Sequence, residues 1–255
     1  MAVKNLCIVQ ARCGSARLPG KVLLPLGDKA EIEHVLSRAV QAKKVDKVIL
    51  ATTLNKEDDL TAEKCRQLGM DYFRGSENDV LDRYYQAAKK FKCKNIIRIT
   101  GDCPLIDPEV IDRVVDLFEE SRVDYATNVI PPTFPDGLDT EIFSFKALEK
   151  AWQETKMASE REHVTIYLWQ NPEIFKQIHL KNNIDLSKHR WCLDNPEDYE
   201  FMKHIFNGLY PIKPNFRLHD ILEFLESNPE IGELNAAIAR NEGLAKSLKE
   251  DKIIN

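Results

Sequence analysis

Leu6-Cys7-Ile8-Val9-Gln10-Ala11-Arg12-Cys13-Gly14-Ser15-Ala16-Arg17-Leu18-Pro19-Gly20-Lys21 joins a short apolar run directly to a basic loop that holds two glycines and no acid. The run 6–10 is continuously apolar up to its last residue, the pattern of a strand covered on both faces. Comparable runs recur at 48–52 and 96–100, and between them the apolar spacing changes to a helical period at 31–42, 58–68 and 80–91. Short strands alternating with helices predict an α/β fold: a mostly parallel sheet with helices on both faces. In such a sheet, ligands collect at the carboxyl ends of the strands, where the basic loop begins.

Further along, Pro108 and Glu109 open a helix over 108–121, and a short strand is expected near Tyr125. Three prolines and a glycine in 128–138 interrupt the alternation. Beyond them the pattern predicts a strand at 140–143, helices at 145–155 and 163–170, and a strand at 174–180. Arg190-Trp191-Cys192-Leu193-Asp194 reads as a further strand, followed by a helix start at Asn195-Pro196. This half is expected to be a smaller, antiparallel α+β portion. The tail 218–249 carries a broken helical pattern suited to packing on the core or on a second subunit.

A chain of 255 residues corresponds to one large domain, at roughly 150 residues per domain, with room for an appendage. Its 36 basic and 41 acidic residues give −5, so no broad positive face is expected for nucleic acid. No apolar run approaches the roughly 20 residues of a membrane span, and no leader pattern is read at Met1-Ala2-Val3-Lys4-Asn5. The six cysteines, at 7, 13, 65, 93, 103 and 192, show no zinc spacing and no C-x-x-C pair. They are read as reduced thiols of a cytoplasmic protein; Cys13 and Cys103 lie in loops but lack a partner at fixed spacing for nucleophilic work.

Against the acidic total, Lys4, Arg12, Arg17 and Lys21 place four positive charges and no negative one in the first 27 residues. Gly14 and Gly20 allow tight turns, and Ser15 with the backbone N–H groups can donate to phosphate oxygens. A triphosphate suits this density of charge. The loop matches neither G-x-x-x-x-G-K-[ST] nor G-x-G-x-x-G. Thr100-Gly101-Asp102-Cys103-Pro104 ends one strand on a carboxylate, and Asp194 ends another. Two such aspartates, with phosphate oxygens and waters, make an oxygen set for Mg²⁺. Asp107, before Pro108, is read as a helix cap. Pro135-Asp136-Gly137-Leu138-Asp139-Thr140-Glu141 and Glu160-Arg161-Glu162-His163 are polar enough to contact a hydroxylated acceptor, while the second stretch equally fits a polar first helix turn. His163 is the one side chain considered as a general base, against a surface or capping role.

Taken together, Gln10 through Lys21, Gly101-Asp102-Cys103-Pro104-Leu105-Ile106, Pro135-Asp136-Gly137-Leu138-Asp139 and Asp194-Asn195-Pro196-Glu197-Asp198 resemble the cytidylyltransferases of the spore coat polysaccharide biosynthesis protein F type. The first and last motifs are also similar to those of CMP-Kdo synthetases, within the nucleotide-diphospho-sugar transferase superfamily. The resemblance covers nearly the whole chain. It implies a Rossmann-like sheet, CTP as donor, Mg²⁺ as cofactor and a product joining CMP to a sugar or sugar acid for surface glycans. It places Ala11, Arg12, Gly14, Ser15, Arg17 and Lys21 on the nucleotide, with Lys21, Arg12 and Arg17 catalytic, and makes Asp102 and Asp194 the metal ligands. Arg74 and Ser76 fall in the segment matching the base-reading stretch. Asp136, Asp139, Glu141, Arg161 and His163 are then the acceptor contacts. Residues 1–127 become the nucleotide half of a single domain 1–255, 128–210 the acceptor half and 211–255 a helical tail, with a homodimer compatible with the family. Ala16 and Asn195 stand where family members often carry Thr. A nucleotide-sugar-dependent glycosyltransferase and a non-catalytic nucleotide-binding subunit use the same kind of crevice, and both remain open at this stage.

Overall fold

The computed structural model describes residues 3–254; Met1, Ala2 and Asn255 lie outside it, and with them the first residues of the leader reading. The strands are β1 (Asn5–Gln10), β2 (Pro25–Leu26), β3 (Lys29–Ala30), β4 (Lys47–Thr53), β5 (Asp71–Gly75), β6 (Asn95–Thr100), β7 (Tyr125–Thr127), β8 (Glu141–Ser144) and β9 (Gln177–His179). The helices are α1 (Glu31–Ala39), α2 (Asp59–Gln67), α3 (Val80–Phe91), α4 (Pro108–Ser121), α5 (Phe145–Glu154), α6 (Ala158–His163), α7 (Ile166–Gln170), α8 (Pro196–Leu209), α9 (Leu218–Ser227), α10 (Pro229–Glu233) and α11 (Glu242–Lys249).

Seven strands form one sheet in the order β5-β4-β1-β6-β8-β7-β9, and β2 pairs with β3 in a small hairpin. β1 lies parallel between β4 and β6, with Gln10 opposite Ala51 on one side and Thr100 on the other. The chain leaves β1 toward β4 and β5, then returns to β6 on the far side. The gap between the carboxyl ends of β1 and β6 is therefore the switch point at which such sheets bind ligands. Alternate β1 residues face opposite layers. Cys7 and Val9 join Ile32, Val35 and Leu36 of α1 and Ile111 and Val114 of α4. Leu6 and Ile8 pack with Leu81 and Tyr84 of α3 and Leu148 of α5. Each fully buried aliphatic side chain here contributes about 1.5–3 kcal/mol relative to exposure. A third cluster joins Trp191, Leu193 and Phe134 to α8, α9 and Ile231 of α10.

The α/β expectation with a smaller irregular half agrees with this architecture, and several details differ. β8 is antiparallel to β6 and to β7, whereas β9 runs parallel to β7, so the second half is not uniformly antiparallel. Residues 190–194 form no strand. They make one bridge, Asp136 to Arg190, because Pro135 has no N–H and Gly137 sits at φ 108, so the neighbouring segment cannot extend a ladder. Of the helix expected at 163–170, residues 166–170 form α7, while His163 ends the preceding α6, and Val164 at φ 61 separates the two. β5 was not anticipated: Asp71–Gly75 is short and part exposed. Asp107 does cap α4, accepting from Glu109 N–H at 2.9 Å, and its other oxygen accepts from Leu218 N–H at 2.8 Å at the start of α9.

Candidate active site

The basic loop after β1 is folded by groups beneath it. Cys13 N–H donates to Asp58 at 2.6 Å, and Asp58, fully buried, also accepts from the Thr53 hydroxyl at the end of β4. Gly20 N–H closes the loop onto the Cys13 carbonyl at 3.0 Å. With φ 69, Gly20 then turns the chain into a short 3₁₀ turn over Lys21–Leu23, which carries Lys21 inward. At the end of β6, Gly101 lets the two strand ends meet: a Cβ there would lie 2.6 Å from Ala11 Cβ and 2.7 Å from the Gln10 carbonyl oxygen. Leu193 N–H donates to the Asp102 carbonyl at 2.8 Å, so the chain before Asp194 is laid against the Asp102 turn without entering the sheet.

The result is a charge cluster. The Lys21 ammonium, on a side chain only 11% exposed, lies 2.9 Å from Asp102 Oδ2 and 2.7 Å from Asp194 Oδ1. Burial opposes charge on Lys21, and the two carboxylates outweigh it and raise its pKa. Burial likewise pushes Asp102 up, but Lys21 and the Thr100 hydroxyl hold it below the usual carboxylate range. Arg17 reaches the same Asp194 oxygen at 2.8 Å and Glu242 at 3.2 Å. Glu31, the first residue of α1, is fully buried nearby with neither carboxylate oxygen hydrogen bonded. Its own burial and the charge of Asp102 push it well above its usual range, against the pull of Lys21.

Two cavities meet at this cluster. One, of about 490 Å³, is walled by the basic loop, Glu77, Asn78, Val80 and Arg83. The other, of about 500 Å³, is walled by Val129, Pro131, Asp139, Ile166, Trp169 and Cys192 among others. Arg17, Thr100, Asp102, His163 and Asp194 line both. Ala11, Arg12, Gly14, Ser15, Arg17 and Lys21 all face the first cavity, with Arg12 paired to Glu77 at 2.9 Å. Asp136, Asp139, Glu141 and His163 face the second.

Three expected residues are not brought in. Arg74 lines neither cavity; it donates to the Thr53 carbonyl at 2.7 Å, the Asn55 carbonyl at 2.8 Å and Asp59 at 2.6 Å, bracing the 53–59 loop. Ser76 accepts from Asp79 N–H at 3.0 Å in the turn before α3. Arg161 clasps Asp79, the α3 cap, and donates to the Trp152 carbonyl at 2.9 Å. In their place stand Glu77, Asn78 and the buried Arg83, whose Nε has no partner. Arg83 was missed because it sits among the apolar positions of α3.

Each of the three acids expected to contact an acceptor meets an arginine. Asp136 lies 3.2 Å from Arg190, Asp139 pairs with Arg240, and Glu141 pairs with Arg98 while accepting from the Tyr125 hydroxyl at 2.5 Å. Burial pushes Asp139 up to about 7 against the opposing charge of Arg240. Burial pushes the His163 pKa down against the pull of Glu162 and so disfavours the protonated ring. Its Nε2 is buried without a hydrogen-bond partner, 3.8 Å from Glu162. Burial also raises Cys13 and Cys103, which removes them as thiolate nucleophiles. The six cysteines are free and buried.

No group of three or more His, Cys, Asp and Glu side chains suited to a metal is present among the described residues. What exists is a pair: Asp102 and Asp194 converge on one point that the Lys21 ammonium holds as a stand-in cation. Two hard oxygen donors would fit a divalent ion that takes its other ligands from phosphates and water. Among the described residues, no helix is long and apolar enough to cross a membrane.

A family model for cytidylyltransferases matches residues 6–234. Spore coat polysaccharide biosynthesis protein SpsF of Bacillus subtilis is 32% identical over 237 residues, 88% of this chain and 95% of that protein. The solved structure of a cytidylyltransferase from Leptospira borgpetersenii serovar Hardjo-bovis is similar at a TM-score of 0.86 and 39% identity, over 90% of this chain and 97% of that one. CMP:2-keto-3-deoxy-manno-octonic acid synthetase, solved in complex with CTP, shares the fold at a TM-score of 0.62 and 19% identity, over 80% of this chain and 99% of that one. Because the matched stretch runs from β1 through the basic loop, both aspartates and α8, this chain belongs to the cytidylyltransferase family.

Proposed function

We propose that this CTP-using nucleotidyltransferase joins CMP to a hydroxyl of a sugar or sugar acid for surface polysaccharide synthesis, with Mg²⁺ held at Asp102 and Asp194. The observation that carries the reading is the Lys21 bridge between those two aspartates, at the seam between the cavity walled by the basic loop and a second cavity of mixed apolar and carboxylate lining. The basic cavity suits the nucleotide, as the complex of the synthetase with CTP suggests by its shared fold. The second cavity, which sets carboxylates beside Trp169 and other apolar side chains, suits a sugar, whose hydroxyls donate and whose ring face packs on an indole.

In the mechanism, Arg12, Ser15 and the loop N–H groups bind the phosphate chain, and Arg17 and Lys21 stabilise the charge that builds on it during in-line attack at the α-phosphorus. The acceptor oxygen–phosphorus bond forms, the α–β bridge breaks, and pyrophosphate carries away the negative charge. Asp102 and Asp194 would hold Mg²⁺, which, when bound, neutralises phosphate oxygens and favours loss of the acceptor hydroxyl proton. Asp136, Asp139, Glu141 and His163 would orient the acceptor.

The single domain 1–255 is read as a nucleotide half, 1–127, an acceptor half, 128–210, and a helical tail, 211–255. We assign it to the cytoplasm, working without nucleic acid or membrane and as a homodimer. Supporting the compartment are the six unpaired thiols. The test is pyrophosphate release from each of the four nucleoside triphosphates against a panel of sugars and sugar acids, with and without Mg²⁺. CTP-specific, Mg²⁺-dependent release with one acceptor is expected. Binding of CTP without any release, or sugar transfer from a nucleotide sugar, overturns the reading.

A further inference from the structure

The family match ends at residue 234, yet the chain beyond it walls the acceptor cavity. Segment 235–254 is fastened at both ends. At the near end Asn235 donates to the Arg190 carbonyl at 3.0 Å and to Asp198 at 2.8 Å, and Arg240 pairs with Asp139 and donates to the Phe134 carbonyl at 3.1 Å. At the far end Ser159 donates to Asp251 at 2.6 Å, Ala158 N–H to the Lys252 carbonyl at 2.9 Å and Ile254 N–H to the Lys156 carbonyl at 2.8 Å. Between these anchors α11 has no buried residue. Its cross-contacts there include a Ser247 hydroxyl donated to Glu162 at 3.0 Å and the Glu242 carboxylate 3.2 Å from Arg17.

Arg17 lines both cavities, whereas Asn241, Glu242, Gly243 and Leu244 line only the acceptor side. One guanidinium nitrogen is held by Asp194 and the other by Glu242. Arg17 is 40% and Glu242 45% exposed, so their pair is worth at most about 1 kcal/mol. A triphosphate brings several charges and charge-assisted hydrogen bonds to the same guanidinium and outcompetes a single exposed carboxylate.

We infer that segment 235–254 is a nucleotide-released latch on the acceptor cavity, in which Glu242 holds Arg17 until a triphosphate claims it. The inference rests on the reading of Arg17 as a phosphate ligand. Before nucleotide binds, Arg17 lies across the seam and α11 is drawn to it. Once the phosphates take Arg17, α11 keeps its two anchors and the exposed Ser247–Glu162 hydrogen bond, and the acceptor cavity opens at the wall around Glu242. Nucleotide binding before acceptor is thereby favoured by up to about five-fold, and a carboxylate outside the matched region tunes the site.

The test is calorimetric titration of CTP, without acceptor, into the full-length protein and into the variants Glu242→Gln, Arg17→Gln and the double variant. The expected result is CTP binding about two- to five-fold tighter in E242Q, since removing a competitor worth at most about 1 kcal/mol releases that much. R17Q should bind CTP at least about ten-fold more weakly, and E242Q should add nothing in the R17Q background. Unchanged or weaker binding in E242Q, with R17Q weakened, overturns the latch alone. Equal tightening with and without Arg17 also overturns it, because it reduces Glu242 to a distant repulsive charge. If R17Q binds CTP normally, the phosphate reading fails and the latch with it. Hydrogen exchange gives an independent readout: amides of Glu242–Lys249 should exchange faster once CTP is added to the parent protein, and unchanged protection counts against release.

Discussion

The Lys21 ammonium lies 2.7 Å from Asp194 Oδ1, joining residues 173 positions apart in the chain, and the same nitrogen lies 2.9 Å from Asp102. Replacing Lys21 by Met keeps the stem and removes the charge. In the folded enzyme the transition-state cation is lost, and pyrophosphate release should fall by about two to three orders of magnitude in kcat. Stability should also fall, by about 2 kcal/mol. That is less than the roughly 3–5 kcal/mol of a wholly buried pair, because Asp102 and Asp194 keep some contact with water. The loss has a pH signature. Asp102, held below its ordinary 3.8, contributes stability above that value that disappears as pH falls through its folded pKa. In Lys21→Met this contribution shrinks, so urea unfolding at pH 7 should show the full deficit, and the deficit should decline progressively as pH is lowered from about 3.8 toward the folded pKa of Asp102. An unchanged kcat would remove Lys21 from the chemistry.

The fold and the centre of the site were legible for a definite reason. Apolar runs buried on both faces and helices with one apolar face leave strong periodic traces, and β1, β4, β6, α3 and α4 carry them. The concentration of Arg12, Arg17 and Lys21 in one loop is likewise a property of the sequence. That Asp102 and Asp194 meet was foreseen, but through two adjacent strands; the actual link is the Leu193 N–H to Asp102 carbonyl bond with Lys21 between the carboxylates. Trp191 and Leu193 alternate with Arg190 and Cys192 as a strand does. Their partner, the 135–137 turn, cannot hydrogen bond like one. Arg74 and Arg161 are polar residues in suggestive places, and only tertiary structure shows them spent on carbonyls and on a helix cap. Residues 241–244 carry no motif at all, and their role comes from where the tail returns.

The position of Arg74 separates a structural from a binding role. Its guanidinium satisfies two backbone carbonyls and Asp59, behind the loop that Asp58 supports. Arg74→Ala should therefore lower stability by about 1–2 kcal/mol, the scale for losing charge-assisted hydrogen bonds in a half-buried setting. CTP affinity should stay within about two-fold, while Arg12→Ala, facing the cavity walled by the basic loop, should weaken CTP binding by about ten-fold. Calorimetry on the two variants decides it, and a selective loss of CTP over other triphosphates in Arg74→Ala would return that residue to base recognition.

At Gly137 the backbone passes tightly against Trp191 and Cys192, next to Asp136 and Cys192 of the second cavity's wall. A Cβ there would run into the Trp191 carbonyl and lie 2.9 Å from Cys192 N, and its φ of 108 is one that L side chains rarely adopt. Gly137→Ala must push the 135–139 turn away from 190–192, and with it Asp136 from Arg190. A destabilisation of about 2–4 kcal/mol is expected, the range for combined strain and lost packing. Thermal unfolding measures the first effect. Acceptor KM, rising more than the KM for CTP, measures the second, and a variant as stable as the parent would show that the two segments have room to part.

Glu31 provides the last and most direct test of the electrostatics. Its carboxyl is fully buried, without a hydrogen-bond partner on either oxygen, and it is pushed far above its ordinary 4.5 by its own burial and by Asp102, against Lys21. A carboxyl whose folded pKa is raised binds its proton more tightly folded than unfolded. The protein therefore gains nothing from ionising it, and it loses stability as pH climbs from about 4.5 toward the folded value. Glu31→Met removes both the titration and the unsatisfied polar group while filling similar space. At pH 7 the variant should be more stable than the parent by about 1–3 kcal/mol, the cost of one orphaned buried polar group. The advantage should narrow as pH is lowered toward 4, where the parent's carboxyl is protonated in both states. Urea unfolding at pH 4, 5.5 and 7 follows the difference. A gap that stays constant across that range, or a variant less stable than the parent at pH 7, would mean that Glu31 is ionised in the fold and helps to hold Lys21 in place.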